Sequence, residues 1–400
     1  MGARPNKLPR IVPEKMTEEE AQYVWKNRKG KVIYTPVYEI FTDNFFDTIV
    51  QEAGMDTAFA NFASTAIYEK YMLNAAQFAA AKSVAENELL RKAAAMYEGD
   101  KTKGYHKYLP EAREICKRSQ DTWLRVEYDT NRGNAVAAAQ FGRYVSVKDL
   151  YPYWVYKGVM DARERPDHVA LEGKVFLIGD PYGDSVFPKN DWNCRCDGIN
   201  ADGRYLDDKG IRAQSEAQSK ALLEKYVDPQ FRFNPYNQGT LPKDGHSYFE
   251  AMGSANEGDF NLFNLPPGRD QPKGDMEGFA ATDLHKVVNY VHKWGKTHHV
   301  NANGELIFQS PGRYTNVIWT ANSLHEVSKH QRGIENLPST IAHPDEVWGS
   351  WGDHKQQVSK RVYLKFGKTC YLVITTDGVI DDAFAVSPTA ADKYRKGVII

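Results

Sequence analysis

Residues 153–198 read YWVYKGVMDARERPDHVALEGKVFLIGDPYGDSVFPKNDWNCRCDG, and the fold turns on how this stretch is parsed. Trp154, Tyr156 and Val159 are bulky and suit a half-buried pleated surface, so the stretch is expected to open as a strand. Asp161, Arg163, Arg165 and His168 then crowd into eight residues. Two apolar bursts follow, Val169–Leu171 and Val175–Ile178, with Gly173 at the turn between them. Pro188, Asn190 and Asn193 punctuate the approach to Cys194-Arg195-Cys196. A segment this rich in loops must be held by something other than a large core. A histidine and two thiols meeting in space would serve, as a soft metal site or a stapled loop. A structural zinc takes four ligands from thiolates, imidazoles and carboxylates. His168, Cys194 and Cys196 supply three, and Asp161 or Asp180 is the expected fourth. The competing reading has two forms: His168 bonds a backbone carbonyl, or the two thiols are simply buried. Asp161 and Arg163 are expected to form a structural ion pair. With no nucleophile–base pair in sight, the region reads as non-enzymatic. A zinc enzyme would need an open metal position and a general base, for which only Asp161 and Glu164 offer themselves.

Working outward, the 400 residues suggest two or three domains. With 42% hydrophobic and 26% charged residues, the composition is that of a soluble globular protein. A net charge of −1 gives the whole chain no bias toward nucleic acid or membrane. The 12% aromatic content suits packing or large protein interfaces. No apolar run is long enough to expect a membrane span, and the N-terminus lacks the apolar core of a secretory signal. Four cysteines do not make a disulfide framework; Cys116 and Cys370 read as buried small hydrophobes.

Residues 1–44 read as an extended arm and a short helix, with Thr17 and Glu20 forming a capping box at its start. Residues 45–104 carry a helical pattern, interrupted near Gly54, whose alanine-rich run from Ala75 to Ala95 implies close helix packing. A further helix is expected from Pro110, as its first-turn residue, to Asp129 or beyond. Ser215–Tyr226 reads as a short amphipathic helix, and residues 238–278 as a linker rich in Pro, Gly, Asn and Asp.

The pieces around the organising stretch form an ordered set. Asp161-Ala162-Arg163, Arg165-Pro166 and His168 lead to Leu171, Gly173-Lys174-Val175-Phe176, Asp180-Pro181, Pro188 and Asn193-Cys194-Arg195-Cys196. Upstream stand Leu124-Arg125-Val126-Glu127, Asn131, Ala135 and Gly142-Arg143-Tyr144; downstream stands Phe231-Arg232-Phe233-Asn234-Pro235. Over residues 105–237 this set resembles the Mu F-type phage head morphogenesis family, the minor head proteins. The resemblance implies a role in capsid assembly near the portal. Its expected partners are the portal and other capsid proteins. Its expected location is the virion, in the head interior or at the portal vertex, with the host cytoplasm as the place of assembly.

Residues 279–400 read as a separate domain. Ala281–Trp294 has the period of a helix, Tyr314–Thr320 that of a strand, and Asn322 or Ser323 should cap a helix through Ser328. A helix over Glu335–Ile341 and strands at Arg361–Phe366, Thr369–Thr376 and Val379–Val386 should follow. Asp377-Gly378 is a strong hairpin signal. Eight of the eleven histidines fall between His285 and His354. From 281 to 400 there are 14 Lys or Arg against 11 Asp or Glu, a mildly basic balance of +3. His325 and Lys329 lie four apart on one helical face, with His330 at its end. Histidine can act as general acid or base near neutrality, and cations can stabilise a phosphorane. Such an inventory would suit metal-independent RNA cleavage, with Arg361, Thr376 and Ser387 completing a cleft over the sheet. The bland reading makes these histidines surface residues and Trp348 and Trp351 core aromatics.

The order Asn322-Ser323-Leu324-His325, Lys329-His330, Leu337-Pro338, His343–Trp348, Arg361 and Ala383–Ser387 resembles the phage-encoded barnase–EndoU–colicin–RelE-like nuclease domains. That resemblance implies an endoribonuclease with His325, Lys329 and His330 on its active helix and Arg361 on the phosphate. RNA, and an immunity protein, would then be further partners. The expected architecture is α+β and multidomain. A mainly helical N-terminal half carries a small, loop-rich mixed α/β core, and a small α+β domain with an antiparallel β-meander follows. The expected function is that of a minor head protein with an RNase passenger, or of a purely structural virion component whose last domain is inactive.

Overall fold

The computed structural model describes residues 8–30, 32–52, 62–95, 97–98, 101–102, 104–242, 245–252, 284–310, 316–330, 333–353 and 358–400. The expected helix break at Gly54, most of the 238–278 linker and His354 lie outside the described residues. The chain forms two compact units, residues 1–55 with 78–255, and residues 56–77 with 256–400.

The first unit contains α1 (Glu14–Lys26), α2 (Thr35–Glu52), the later part of α3 (Phe62–Ala95), a short hairpin of β1 (Tyr97–Glu98) and β2 (Lys101–Thr102), α4 (Tyr105–Lys117) and α5 (Leu124–Ser146). A π-helical segment, Arg118–Trp123, joins α4 to α5. Then come β3 (Tyr153–Lys157), α6 (Pro166–Val169), β4 (Val175–Leu177), α7 (Pro181–Ser185), β5 (Asp197–Ala201), α8 (Gly203–Lys209), α9 (Glu216–Tyr226), α10 (Pro235–Gln238) and α11 (Ser247–Met252).

The opening strand expected at Trp154 is β3, the centre of a three-stranded antiparallel sheet ordered β4-β3-β5. Side chains alternate across a strand. Trp154 and Tyr156 therefore enter one core with Phe141, Phe176, Phe187 and Phe231, and Val155 enters another with Val175, Ala201 and Leu206. Both faces are covered, not one, and Val159 lies beyond the strand, exposed. Phe187 presses so close to β5 that a Cβ at Gly198 would stand 2.6 Å from its ring.

Two helix boundaries in this unit differ from expectation. The first helix starts at Glu14, not Thr17, because Thr17 Oγ1 is turned to Gln120 Oε1 (2.7 Å) instead of capping. Pro110 lies inside α4, not at its first turn; the buried stripe of Tyr108, Ala112 and Cys116 carries the helix past the missing donor. The helix over Ser215–Tyr226 forms as expected, with Ser215 and Gln218 in a reciprocal capping box.

The second unit contains α12 (Leu284–Thr297), β6 (His299–Val300), β7 (Leu306–Phe308), β8 (Val317–Trp319), α13 (Ala321–Val327), α14 (Leu337–Ala342), β9 (Glu346–Asp353), β10 (Val358–Phe366), β11 (Cys370–Thr376), β12 (Val379–Val386), α15 (Pro388–Ala391) and β13 (Val398–Ile399). One eight-stranded sheet runs β13-β9-β10-β11-β12-β8-β7-β6. Its pairs are antiparallel except β12 with β8. The expected meander is present as β9–β12, and Asp377 and Gly378 take the left-handed conformations of the β11–β12 turn. The α13 cap is Thr320, not Asn322 or Ser323. Trp319, Tyr363, Tyr371 and Val373 pack on the α12–α14 side; Trp348, Leu364, Phe366 and Leu372 form the core on the other face. The whole is an α+β multidomain protein, and among the described residues no helix is long and apolar enough to cross a membrane.

Candidate functional site

In the first unit, Pro166 opens the single-turn helix α6 and so sets His168 facing inward. Cys194 lies in the turn that closes with its N–H on Asp191 O (3.1 Å), and Cys196 immediately precedes β5. The structure brings all three together: His168 Nδ1 stands 3.7 Å from Cys194 Sγ and 3.5 Å from Cys196 Sγ. Each is buried, and the three ligand atoms lie within 4.8 Å of one another. The neighbouring Cys196 side chain, with His168 beside it, holds the Cys194 thiol well below its ordinary value despite burial. Cys194 beside it, together with burial, pushes the Cys196 thiol up. Burial first, and then the two sulfurs, also raise Tyr156.

The two carboxylates expected near the thiols are engaged elsewhere. Asp161 makes a bidentate pair with Arg195 (2.7 and 2.7 Å), which replaces the expected pairing with Arg163; only the Arg163 backbone N–H reaches it. Asp180 caps α7 by accepting from the Tyr182 N–H at 3.1 Å. The carboxylate at the thiols is Glu164, whose Oε1 accepts from the Cys196 thiol at 3.2 Å and from the Val159 N–H at 3.1 Å. Met160 N–H donates to its other oxygen, and a Cβ at Gly158 would collide with Oε1. Local spacing does not reveal this role, because Glu164 precedes α6, which begins only at Pro166. Two clamps tie the flanking segments together: Asp161 to Arg195, and Arg165 to Asp191 (2.9 Å) and to Trp192 O (3.0 Å).

The second set of expected residues is dispersed. His325 and Lys329 are exposed on α13 and the turn after it, both beside Glu326, at 3.9 and 2.7 Å. His330 ends that turn, and its side chain lies outside the described residues. Arg361 is buried, 3.5 Å from the buried carboxylate of Glu69. In register, Arg361 faces Thr375 while Thr376 faces Lys360, so Arg361 and Thr376 point to opposite faces of the sheet. Thr376 donates to Asp381, and Ser387 caps α15 by accepting from the Ala390 N–H at 3.2 Å. Trp348 is buried, with its indole N–H on Glu346 Oε2 (2.9 Å), as a core aromatic should be.

One polar cluster had no signal strong enough to be singled out. Within the first unit, Lys82 Nζ donates to Ser119 O (2.8 Å) and stands 3.0 Å from Glu127 Oε2. Ser119 Oγ donates to Glu86 Oε2 (2.9 Å), and Gln120 Nε2 reaches both Glu20 and Glu86 (2.5 and 2.6 Å). Ser119 and Gln120 both belong to the π segment, whose wider turn presents consecutive residues to the cluster. Burial raises Glu86 to about 7 and Glu20 well above the usual carboxylate range. The available clue is Lys82 itself, a charge set in an otherwise alanine-lined face.

With this geometry in hand, comparison with known proteins places the first unit's core. Residues 64–199 match the family of phage Mu protein F like proteins. The matched span includes β3, His168, Cys194 and Cys196 and ends within β5. The protein F of Escherichia phage Mu, which its name links to capsid assembly, is 42% identical over 99 residues, 25% of this chain and 20% of that protein. The Mu-like prophage FluMu F protein of Haemophilus influenzae is 34% identical over 105 residues, 26% of this chain and 25% of that protein. The chain thus matches a fifth to a quarter of the length of these curated relatives. No solved structure matches it.

Proposed function

We propose that this chain is a minor head protein that acts in phage capsid assembly, near the portal, with the portal and other capsid proteins as partners. The observation that carries the reading is the match over residues 64–199 to Mu F like proteins. The closely packed β3 core, built on Trp154 and Phe187, supports a structural role for that segment. The test is deletion of the gene from the phage or prophage that carries it. Loss of DNA-filled heads in electron micrographs, restored by the gene in trans, is the expected result. Normal, infectious particles from the deletion would overturn it.

A second reading makes the C-terminal domain an endoribonuclease, with RNA as substrate and an immunity protein as its partner. Its support is the exposure of His325 and Lys329 on neighbouring positions of one helical segment. The burial of Arg361 against Glu69, and the opposite facing of Thr376, favour instead a structural domain without that activity.

A further inference from the structure

We propose that His168, Cys194 and Cys196 bind one zinc ion, with Glu164 as the fourth ligand, in a closed structural site. Three observations converge. The first is distance. Tetrahedral zinc, with bonds of about 2.3 Å to sulfur and about 2.0–2.1 Å to nitrogen, sets each sulfur about 3.6 Å from the nitrogen. The two sulfur–Nδ1 separations here are 3.7 and 3.5 Å. The protein therefore holds the imidazole and thiols at the spacing of a filled site.

The second observation is the donor set. Two thiolates and an imidazole select a soft or borderline cation and discriminate against magnesium or calcium. All three groups are buried, at 4%, 8% and 2% exposure, so no wide mouth is left for a substrate. The third is Glu164. It abuts Cys196 and is steered by two backbone N–H groups, and Gly158 leaves the space its carboxylate occupies. To ligate the ion, its carboxylate would turn from those N–H groups toward His168 and Cys194. Any proton carried by the Cys194 and Cys196 thiols is released to solvent when the ion enters.

The ion joins the α6 turn to the strand entry at Cys196, in a stretch where the regular elements are three to five residues long. The Arg195–Asp161 and Arg165–Asp191 pairs flank it and orient the same two segments, as outer-shell partners do in metal sites.

The full chain, purified from zinc-supplied cells without chelator, should carry one zinc per molecule by elemental analysis. A chromogenic chelator should register its release on thiol modification. Cobalt exchanged into the protein should show thiolate-to-cobalt charge-transfer absorption. His168→Ala and Cys194→Ser should lower metal content at least tenfold, whereas Asp180→Asn should keep it. Glu164→Gln should weaken zinc retention against a competing chelator about tenfold or more. Folded wild-type protein that holds no zinc, and takes none up from solution, would overturn the site without recourse to any variant. Unchanged zinc retention in Glu164→Gln would overturn the assignment of the fourth ligand.

Discussion

Lys82 Nζ lies 3.0 Å from Glu127 Oε2, and neither side chain reaches solvent. A second oxygen of Glu127 accepts from Tyr248 OH at 2.6 Å, so the carboxylate is tied from two directions. Removing one member of a buried pair strands the other charge, at a cost of about 3–5 kcal/mol. Lys82→Met should therefore destabilise the first unit by that amount in urea titration. Lys82→Met combined with Glu127→Leu should recover a large part of the loss. A single variant as stable as the parent would refute this description of the pair.

The neighbouring acids give the same unit a pH dependence. Glu86 rises from 4.5 to about 7, mainly through burial, and Glu20 moves in the same direction. A carboxyl with a raised folded-state pKa contributes stability that is complete below its unfolded value. That contribution is lost as pH climbs from about 4.5 through about 7. His246 acts in the opposite sense, because burial lowers it from 6.5 to about 4. The informative quantity is thus the difference between parent and Glu86→Gln. The variant should gain melting temperature relative to the parent as pH rises through this window, with the gap levelling off above pH 7 or so. A constant gap across the range would contradict the assignment.

Trp154 stacks on Phe176 with ring centroids 4.6 Å apart and meets Phe187 edge-on at 5.0 Å. It is wholly buried at the centre of the three-stranded sheet. Trp154→Ala should cost about 3–5 kcal/mol through lost burial and the cavity left behind. Trp348→Ala, in the second unit, should leave the first unit's hydrogen-exchange protection in place. Protection factors read segment by segment would tell the two apart.

Expression of the full chain in a susceptible host tests the nuclease reading. If unit two cuts RNA through α13, growth arrest with RNA fragments should appear and be relieved by His325→Ala or Lys329→Ala. From the burial of Arg361 against Glu69, the expected outcome is unimpaired growth and intact RNA.

Much of this architecture is legible in local sequence, where the physics is local. Val379–Val386 alternates side chains over a sheet and starts from an Asp-Gly turn, and it is a strand with those bounds. The convergence of His168 with Cys194 and Cys196 also follows from chemistry, since a loop-rich stretch must be fastened somewhere. What escaped depends on distant partners. Strand β9 contains Gly349 and Gly352, poor strand formers. A Cβ at Gly349 would collide with Ile400 and stand 3.0 Å from Leu73, a crowding set by remote segments. Thr17 and Glu20 have the spacing of a cap, but both turn to Gln120, about a hundred positions away, and the pattern is spent on tertiary contact. Glu164 was legible only as a candidate base; its contact with Cys196 depends on the absence of a side chain at Gly158.

The single parallel pairing in the large sheet has a consequence for how the chain acquires its structure. Strands β9 to β12 close through short hairpins, so their contacts cost little loop entropy. Ile318 must wait for Val379, which opens the last strand of the meander. During synthesis β7 and β8 therefore emerge with one flank unmatched, and only the arrival of β12 seals it. A message truncated shortly before Val379 would leave two raw flanks, on β8 and on β11, both lined with apolar residues. Such a product would be drawn into aggregates through strand addition, whatever the state of the helical half.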